Sequence, residues 1–465
     1  MGKYLFGIST FCRRLIDSGE ISVREVNGLF DNDPSKIGQI RYGLPVGKPR
    51  YIEGAQIIIT VANDFYRLEA VRQLVGLGYV ECTMICEKAE KYERKHLDFS
   101  RYHHKKGNNQ LIVLYLQHKS YSGISAIEYM IKNGKISLPA GFCIATMTAK
   151  EDETGFYYYA AMADYFITER DLLKVCGKRI QLWHGFPLKA LGHMMKSFKS
   201  EGYDVSNKWA EYNHIVSYGQ MYTDFMCACY GTPANQYWIT GMPRNDLLYL
   251  TDGKTELCEL MPDSIGKRVV LYMPTFRQLE HKKSSYMQVD GMEEGYIFYW
   301  EDFRINRLER FCEENNIYFV FKLHPSDASR AKTWYVKSPY IGIMTDEMLG
   351  DKCLYEYLNA ADVLVTDYSS VYFDYLLLDR PIVFTDKDVD VYVEQRGLIL
   401  EPLDFWRPGA AVHTMDMLEK EIADALGGRD RYQEKRKCLT GLVHRYRDGC
   451  STERLFEMIR KDSET

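Results

Sequence analysis

Three short stretches of this 465-residue chain join side chains capable of chemistry to the turn residues that would expose them. In "QLWHGFPLKALG", Gln181 to Gly192, His184 follows an apolar run that reads as a buried strand, and Gly185, Pro187 and Lys189 come after it. In "YFVFKLHPSD" a second apolar run ends at Lys322, His324 and Pro325. In "AADVLVTDYSSVYFDYLLLDRPIVFT" a strand ends at Thr366 and Asp367, and Ser369 and Ser370 fall where a helix begins. A neutral imidazole accepts a proton near neutral pH without large tuning. A helix start offers free N–H groups and the positive end of its dipole to an anion, and two hydroxyls add donors. Singly, each stretch has a plainer explanation. A strand-end histidine is structural more often than catalytic, and Asp367 or Ser369 alone would serve as a helix N-cap. In combination they point to one place, because ligands of open α/β sheets bind beyond the carboxyl ends of the strands.

The elements that must hold these side chains alternate strand and helix along the chain, which argues an α/β fold with parallel sheets. "KYLFGIST", "VREVNGLFD" and "AQIIITVA" read as strands and "FCRRLIDSGE" and "DFYRLEAVRQLVGLG" as helices. "YVECTMI" then closes a compact Rossmann-like unit over residues 1–85. A polar, basic stretch, "CEKAEKYERKHLDFSRYHHKKGNNQ", reads as a helical or irregular connector. A second α/β region runs from Leu111 to Leu250, and a third begins at "KRVVLYMPTF". The chain is too long for one ordinary core, so two or three domains are expected. The division reads as residues 1–85, residues 86–255 and residues 256–465.

Composition excludes several classes of protein. A net charge of −5 speaks against a protein-wide basic field for nucleic acid. Twelve cysteines are scattered without metal spacing; Cys227 and Cys229 form a lone C-x-C, and no disulfide framework is evident. With no charged-then-apolar segment after Met1, the expectation is a reduced, cytoplasmic protein. No apolar run approaches the roughly 18 residues a membrane span needs, which leaves peripheral contact with the inner face of the membrane as the compatible mode. The first unit carries a degraded dinucleotide fingerprint: "GISTFC" keeps Gly7 but has Ser9 and Cys12 at the other glycine positions. Asp31 ends the second strand where a ribose-binding carboxylate would stand, yet Asp31, Asp33 and Pro34 also make an ordinary turn, and the turn is the favoured reading. The tyrosines of "YYYAAM", Tyr157 to Met162, read as packing against a sheet. "HMMKSFKSEGYDVSNKW" reads as a solvated loop, basic and apolar enough to touch a membrane or a lipid-linked acceptor.

Five motifs in order resemble those of the CDP-glycerol glycerophosphotransferase family, the enzymes of teichoic acid and related polymer synthesis. "WHGFPLKALG" is similar to the family's WHG-x-P-x-K-x-x-G, with Phe186 where threonine is commoner. "TGMPRND", Thr240 to Asp246, is similar to its G-x-PRND element, and "YMPTFR", Tyr272 to Arg277, to its PT-x-R strand end. "KLHP" and "TDYSSVYFDY" follow in the same order, so that the resemblance covers about residues 140–460. It implies a GT-B fold of two facing Rossmann-like lobes, with the donor mainly on the C-terminal lobe. The first 85 residues resemble a small Rossmann-like domain joined to glycan-modifying enzymes.

The family resemblance also implies a reaction. An acceptor hydroxyl attacks the glycerol-linked phosphorus of CDP-glycerol and expels CMP, a step that asks for positioning, charge stabilisation and a base. His184 is the expected base, and His324 the group that holds or protonates the leaving diphosphate. Arg244, Arg277 and Lys322 are expected phosphate clamps. Thr366, Ser369 and Ser370 are expected to grip the CDP diphosphate, with Gly185, Lys189, Thr275 and Asp367 completing the substrate site and Asp374 acting by helix positioning alone. No cofactor is required; Mg2+ is compatible with the reaction, but the sequence offers no metal site. The expected partners are a CDP-alditol donor and a glycan or polyol-phosphate acceptor, which a lipid carrier would suit, and no nucleic acid. Transfer of ribitol phosphate, a nucleotide-sugar glycosyltransferase or epimerase on the same fold, and a non-catalytic nucleotide-binding scaffold are the alternatives.

Overall fold

A computed structural model describes residues 2–89, 91–102, 109–117, 122–148, 152–169, 174–195, 209–275, 298, 300, 302–323, 338–387 and 389–465. The chain divides into two compact units, Met1–Gln117 with Leu138–Ile180, and His118–Ser137 with Gln181–Thr465.

In the first unit, β1 (Lys3–Phe6), β2 (Val26–Phe30), β3 (Ile40–Arg41), β4 (Leu44–Gly47), β5 (Gln56–Ile59), β6 (Glu81–Lys88) and β7 (Lys91–Asp98) form one sheet in the order β3-β4-β2-β1-β5-β6-β7. Its middle is parallel, and β3–β4 and β6–β7 are antiparallel hairpins at the two edges. Helix α1 (Thr10–Asp17) follows β1, and α2 (Asp64–Leu77) starts at Asn63, whose side chain accepts from the Phe65 and Tyr66 amides. It stops at Gly78, whose φ of 101° only glycine adopts readily.

Strand β7 corrects the connector expected from the sequence. Its side chains are mostly exposed and only Leu97 is buried, so the alternation that marks a strand is missing. A charged edge strand of this kind discourages pairing with other chains. The boundary expected at residue 85 falls inside β6.

Strands β8 (Gln110–Leu116), β9 (Phe142–Thr148), β10 (Tyr165–Thr168) and β11 (Lys178–Gln181), in the order β11-β10-β8-β9, make a second layer, with α4 (Glu153–Met162) beside them. Ile57, Ile59, Leu68 and Val71 share one apolar cluster with Leu111, Val113, Met147, Tyr158 and Phe166. A single core therefore crosses the expected division between residues 85 and 86. Tyr158 and Tyr159 lie in that core, against Phe99 and Tyr102.

The second unit holds α3 (Gly123–Lys132), the parallel pair β12 (His214–Ser217) and β13 (Tyr237–Ile239), and α5 (Gln220–Tyr230) between them. It also holds a sheet of six strands: β14 (Arg268–Met273), β15 (Ile317–Phe321), β16 (Ile341–Ile343), β17 (Val363–Thr366), β18 (Ile382–Thr385) and β19 (Ala410–Val412). All pairs are parallel and the order is β16-β15-β14-β17-β18-β19. That is the doubly wound order, and its direction reverses between β14 and β17. Strands buried on both faces read as continuous apolar runs, which is why "IYFVF" and "VLVT" were legible. Helices α6 (Ile305–Glu314) and α8 (Met415–Leu426) cover the sheet through Leu308, Cys312, Leu418 and Ile422. Helix α7 (Val371–Tyr375) leaves β17, and α9 (Gln433–Val443) and α10 (Ser451–Ser463) close the chain. Among the described residues, no helix is long and apolar enough to cross a membrane.

Candidate active site

The turn after β11 is built to present His184. Gln181, almost fully buried, accepts the Trp183 amide on its Oε1 at 2.8 Å. Trp183 then takes a left-handed backbone, φ 59°, which costs a bulky residue energy and needs surrounding contacts to hold it. The centre of its ring lies 3.9 Å from that of the His184 ring and it meets Trp209 edge-on, so the exposed His184 side chain rests against an aromatic floor. Gly185 has φ 155°, and a Cβ there would lie 2.6 Å from Ser370 Oγ and 3.4 Å from Arg244 Nη2. Only glycine lets the turn approach Ser370 this closely. Phe186, buried, sets its ring 4.6 Å from Phe373 of α7, so the aromatic residue anchors the turn by packing. Lys189 forms an antiparallel bridge with Leu398, flanked by Ala190 N–H donating to Gly397 O at 3.1 Å and Ile399 N–H to Leu188 O at 3.0 Å.

The "PRND" turn, Pro243–Asp246, is wholly buried, and most of its polar side-chain groups bond inside the protein. Arg244 donates from Nη1 to the His184 carbonyl at 2.9 Å and from Nη2 to Asp374 Oδ2 at 2.7 Å and the Tyr218 hydroxyl at 3.2 Å. Its guanidinium carbon also lies 4.8 Å from the centre of the Tyr355 ring. Asn245 Nδ2 donates to Asp374 Oδ1 at 2.9 Å. Asp246 accepts the Ser451 and Thr452 amides and the Thr452 hydroxyl, each at 2.8 Å, and so caps α10. Burial pushes the Asp246 carboxyl up in spite of those donors.

Asp374 is the hub. Tyr218 and Asn245 donate to Oδ1, at 2.8 and 2.9 Å, and Arg244 and Tyr355 to Oδ2, at 2.7 and 2.5 Å. Burial alone would raise this carboxyl, but the Arg244 charge and the Tyr355 and Asn245 hydrogen bonds outweigh it and hold it below its ordinary value. Burial, with the Asp374 charge beside it, pushes the Tyr218 phenol well above its usual range, and burial does the same to Tyr355.

At the carboxyl edge of the six-stranded sheet, Asp367 ties two strand ends together. Its Oδ1 accepts the Thr275 amide at 2.8 Å and the Ser369 amide at 3.1 Å. Thr366 is fully buried and its hydroxyl donates to the Met273 carbonyl at 2.7 Å, which commits that proton to the sheet. Lys322 is buried and its Nζ meets Asp346 Oδ1 at 2.7 Å. Ser369 and Ser370 are half-buried, and neither hydroxyl is hydrogen-bonded among the described residues. His324 and Arg277 lie outside the described residues. Among the described residues no group of three or more His, Cys, Asp or Glu side chains could hold a metal ion.

The structure thus brings His184, Gly185, Arg244, Ser370 and Asp374 together, and places Thr275, Asp367 and Ser369 at the sheet edge beside them. Arg244 and Lys322, expected as phosphate clamps, are buried and carry carboxylate partners. Sequence reasoning missed Tyr218, Asn245 and Tyr355, and gave Asp374 a lesser role. The "PRND" and "FDY" motifs were the available signal. It also passed over Asp386 and His413, which follow β18 and β19 and meet through Nε2 and Oδ1 at 3.0 Å. The pairing of Thr385 with Val412 sets those two residues side by side.

A doubly wound sheet whose carboxyl edge carries open hydroxyls, facing a turn that presents an imidazole, defines an α/β protein with a candidate transferase site. Residues 84–461 match the sequence pattern described as CDP-Glycerol:Poly(glycerophosphate) glycerophosphotransferase, and the chain belongs to that family. It is 29% identical over 285 residues to the teichoic acid ribitol-phosphate polymerase TarL of Staphylococcus aureus, covering 60% of this chain and 47% of that relative. It is 27% identical over 288 residues to the teichoic acid glycerol-phosphate primase of Bacillus subtilis, covering 61% of this chain and 68% of the relative. The match to TarL spans about half of that relative's length. The wall teichoic acid polymerase TagF has a similar solved fold: TM-score 0.57, 20% identity, 77% of this chain and 90% of that one. The α/β, GT-B-like fold class expected from the sequence is the one observed.

Proposed function

We propose that this protein transfers an alditol phosphate from a CDP-alditol to a hydroxyl of a polyol-phosphate or glycan acceptor and releases CMP. The observation that carries this reading is the approach of the His184 turn to Ser370, with Gly185 the only residue type that fits between them. A base and a pair of open hydroxyls thereby share one site. The acceptor hydroxyl gives its proton to the His184 imidazole as its oxygen bonds to the alditol-linked phosphorus. The bond from that phosphorus to the bridging oxygen breaks, and CMP leaves with the electron pair. Ser369 and Ser370 donate to the diphosphate, and Asp367 shapes their turn. His324, three residues beyond β15, is retained as the group that meets the leaving phosphate, and Arg277 and Lys189 as its cationic surroundings. The alternation of buried and open groups favours chemistry over a silent scaffold, since an exposed imidazole held on an aromatic floor serves no packing purpose.

CDP-glycerol is the donor proposed first, from the family's description. CDP-ribitol is the second reading, because two relatives at 29% identity are named for ribitol phosphate. The acceptor is proposed to be lipid-linked, which would place the protein at the inner face of the membrane. Offering CDP-glycerol, CDP-ribitol and a panel of UDP-sugars side by side, and measuring CMP or UMP and UDP release, tests the whole reading. CMP from a CDP-alditol alone is the expected result, and release from a UDP-sugar alone would overturn it.

A further inference from the structure

The strongest network in the second unit is not at the solvent-facing rim but directly beneath it, where one carboxylate holds four side chains from three segments of chain. We propose that Arg244 and Asp374 form a positioning pair that fixes His184 relative to the donor-holding hydroxyl of Ser370. The proposal rests on the reading of His184 as the base, and it gives Arg244 a role other than phosphate binding.

Three observations converge. First, the guanidinium is planar, and adjacent nitrogens of that one plane hold the His184 carbonyl and the Asp374 carboxylate, at 2.9 and 2.7 Å. Such a fork fixes the separation and direction of its two acceptors in a way a flexible ammonium does not. Second, the turn it grips has a reason to move. Trp183 sits at φ 59°, a conformation that persists only where the surroundings over-determine it. The Gln181 side chain holds one side of the turn and Arg244 holds the carbonyl next to it. Third, Ser370 and Asp374 are four residues apart at the start of α7, so they lie on one face of that helical turn. The helix that offers Ser370 to the diphosphate therefore also carries, one turn later, the carboxylate that anchors the base. Donor grip and base are registered through a single turn of helix.

Each part of the frame is itself fixed. Tyr218, Asn245 and Tyr355 fill the remaining acceptor positions of Asp374, so the carboxylate has one orientation available. The pair is fully desolvated, with Arg244 4% exposed and Asp374 0% exposed, so no phosphate can replace Asp374 as the partner without unpairing it. A positioned base loses rate steeply with small displacements, because a shift of about 1 Å can cost on the order of 10²-fold.

The test is a double-mutant cycle read in kcat and in KM for CDP-glycerol. Asp374→Asn and Arg244→Lys, each shown folded by circular dichroism and assayed well below its melting temperature, are made alone and together with His184→Ala. The expected result is a kcat lowered by about 10-fold or more with donor KM changed less than about 3-fold, and almost no further loss in the His184→Ala background. If the losses multiply fully in that background, the pair does not act through His184 and the proposal falls. A raised KM with unchanged kcat would also overturn it, and would return Arg244 to phosphate binding. Near-normal turnover of His184→Ala by itself would remove the base reading first, a separate failure. Should Asp374→Asn not fold, Tyr355→Phe removes one donor from the same carboxylate without altering charge and enters the same cycle.

Discussion

Each unit contains a junction where a parallel strand runs into a helix, and each junction receives a carboxylate, yet the two are left in different states. Between β1 and α1, Asp31 reaches in from the end of β2. Its oxygens accept the Ile8 amide at 2.7 Å, the Asp33 amide at 2.9 Å and Lys36 Nζ at 3.1 Å. Ser9 caps the helix by accepting the Cys12 amide at 3.3 Å, and its hydroxyl donates to Thr60 O at 3.1 Å. One amide of the turn is thus occupied by the protein's own carboxylate and another by the Ser9 cap, and both Asp31 oxygens, where a ribose would bind, already carry donors. Between β17 and α7, Asp367 takes one amide of the turn and one from Thr275, while the hydroxyls of Ser369 and Ser370 stay open. An internal carboxylate can plug a phosphate site or shape one. What decides is whether it consumes the donors or leaves some pointing outward.

The largest effect expected from this contrast lies beside the open junction. On the proposed reading, in which the side chain serves the attacking hydroxyl, His184→Ala should lower CMP release by roughly 10²–10⁴-fold while CDP affinity stays within about 3-fold. Turnover assays and calorimetry on the same preparation check both halves, and near-normal turnover would reduce the "WHG" turn to a structural one. Next in size, Ser369→Ala with Ser370→Ala removes two donors to an anion, each worth on the order of 1.5–3 kcal/mol. CDP binding should weaken by at least about 10-fold; unchanged affinity would mean that the open hydroxyls do not meet the diphosphate. The plugged junction should behave oppositely. Asp31→Ala should leave CMP release unaltered and lower the stability of the chain by about 1–3 kcal/mol, since it unpairs two buried or half-buried amides. A denaturant melt and the turnover assay distinguish the two, and a loss of turnover in the folded variant would break the comparison.

How much of this was legible follows from what each residue does. Strands of the six-stranded sheet announced themselves because burial on both faces leaves an unbroken apolar run, as in "RVVLYM". The ends of such runs were legible for the same reason: the apolar pattern stops where the chain leaves the sheet, as after Phe321 and at Thr366. Strand β7 was not, because only Leu97 on one face and Tyr92 on the other reach apolar clusters, too few contacts to impose an apolar pattern. One core lies on both sides of the expected division at residue 85, shared by side chains as far apart in sequence as Phe6 and Phe166, and a sequence shows patterning but not which clusters merge. Arg244 was read by its charge as a phosphate ligand. Its actual partner, Asp374, lies 130 positions away, and a charge's partner at that range leaves no local trace.

The smallest effect is a pH dependence that belongs to the open junction alone. His444, fully buried, follows α9 and its Nε2 meets the Phe373 carbonyl of α7 at 2.7 Å. Burial holds this imidazole below its ordinary value, and the Phe373 hydrogen bond and the nearby Asp374 charge offset only part of that. The folded protein therefore binds this proton less readily than the unfolded chain. The contribution of His444 to stability is intact above the unfolded value, about 6.5, and is lost as pH falls below it towards the folded value, at no more than about 1.4 kcal/mol per pH unit. Asp374, also held below its ordinary value, adds a further loss only at pH below about 4. Melting temperature should accordingly drop as pH is lowered from about 7.5 to about 5.5. His444→Gln keeps a donor for the Phe373 carbonyl but cannot titrate, so its curve should be flatter over the same range. Parallel curves for the two proteins would show that acid loosens the fold elsewhere, and that the carboxylate hub beneath α7 is not its first point of failure.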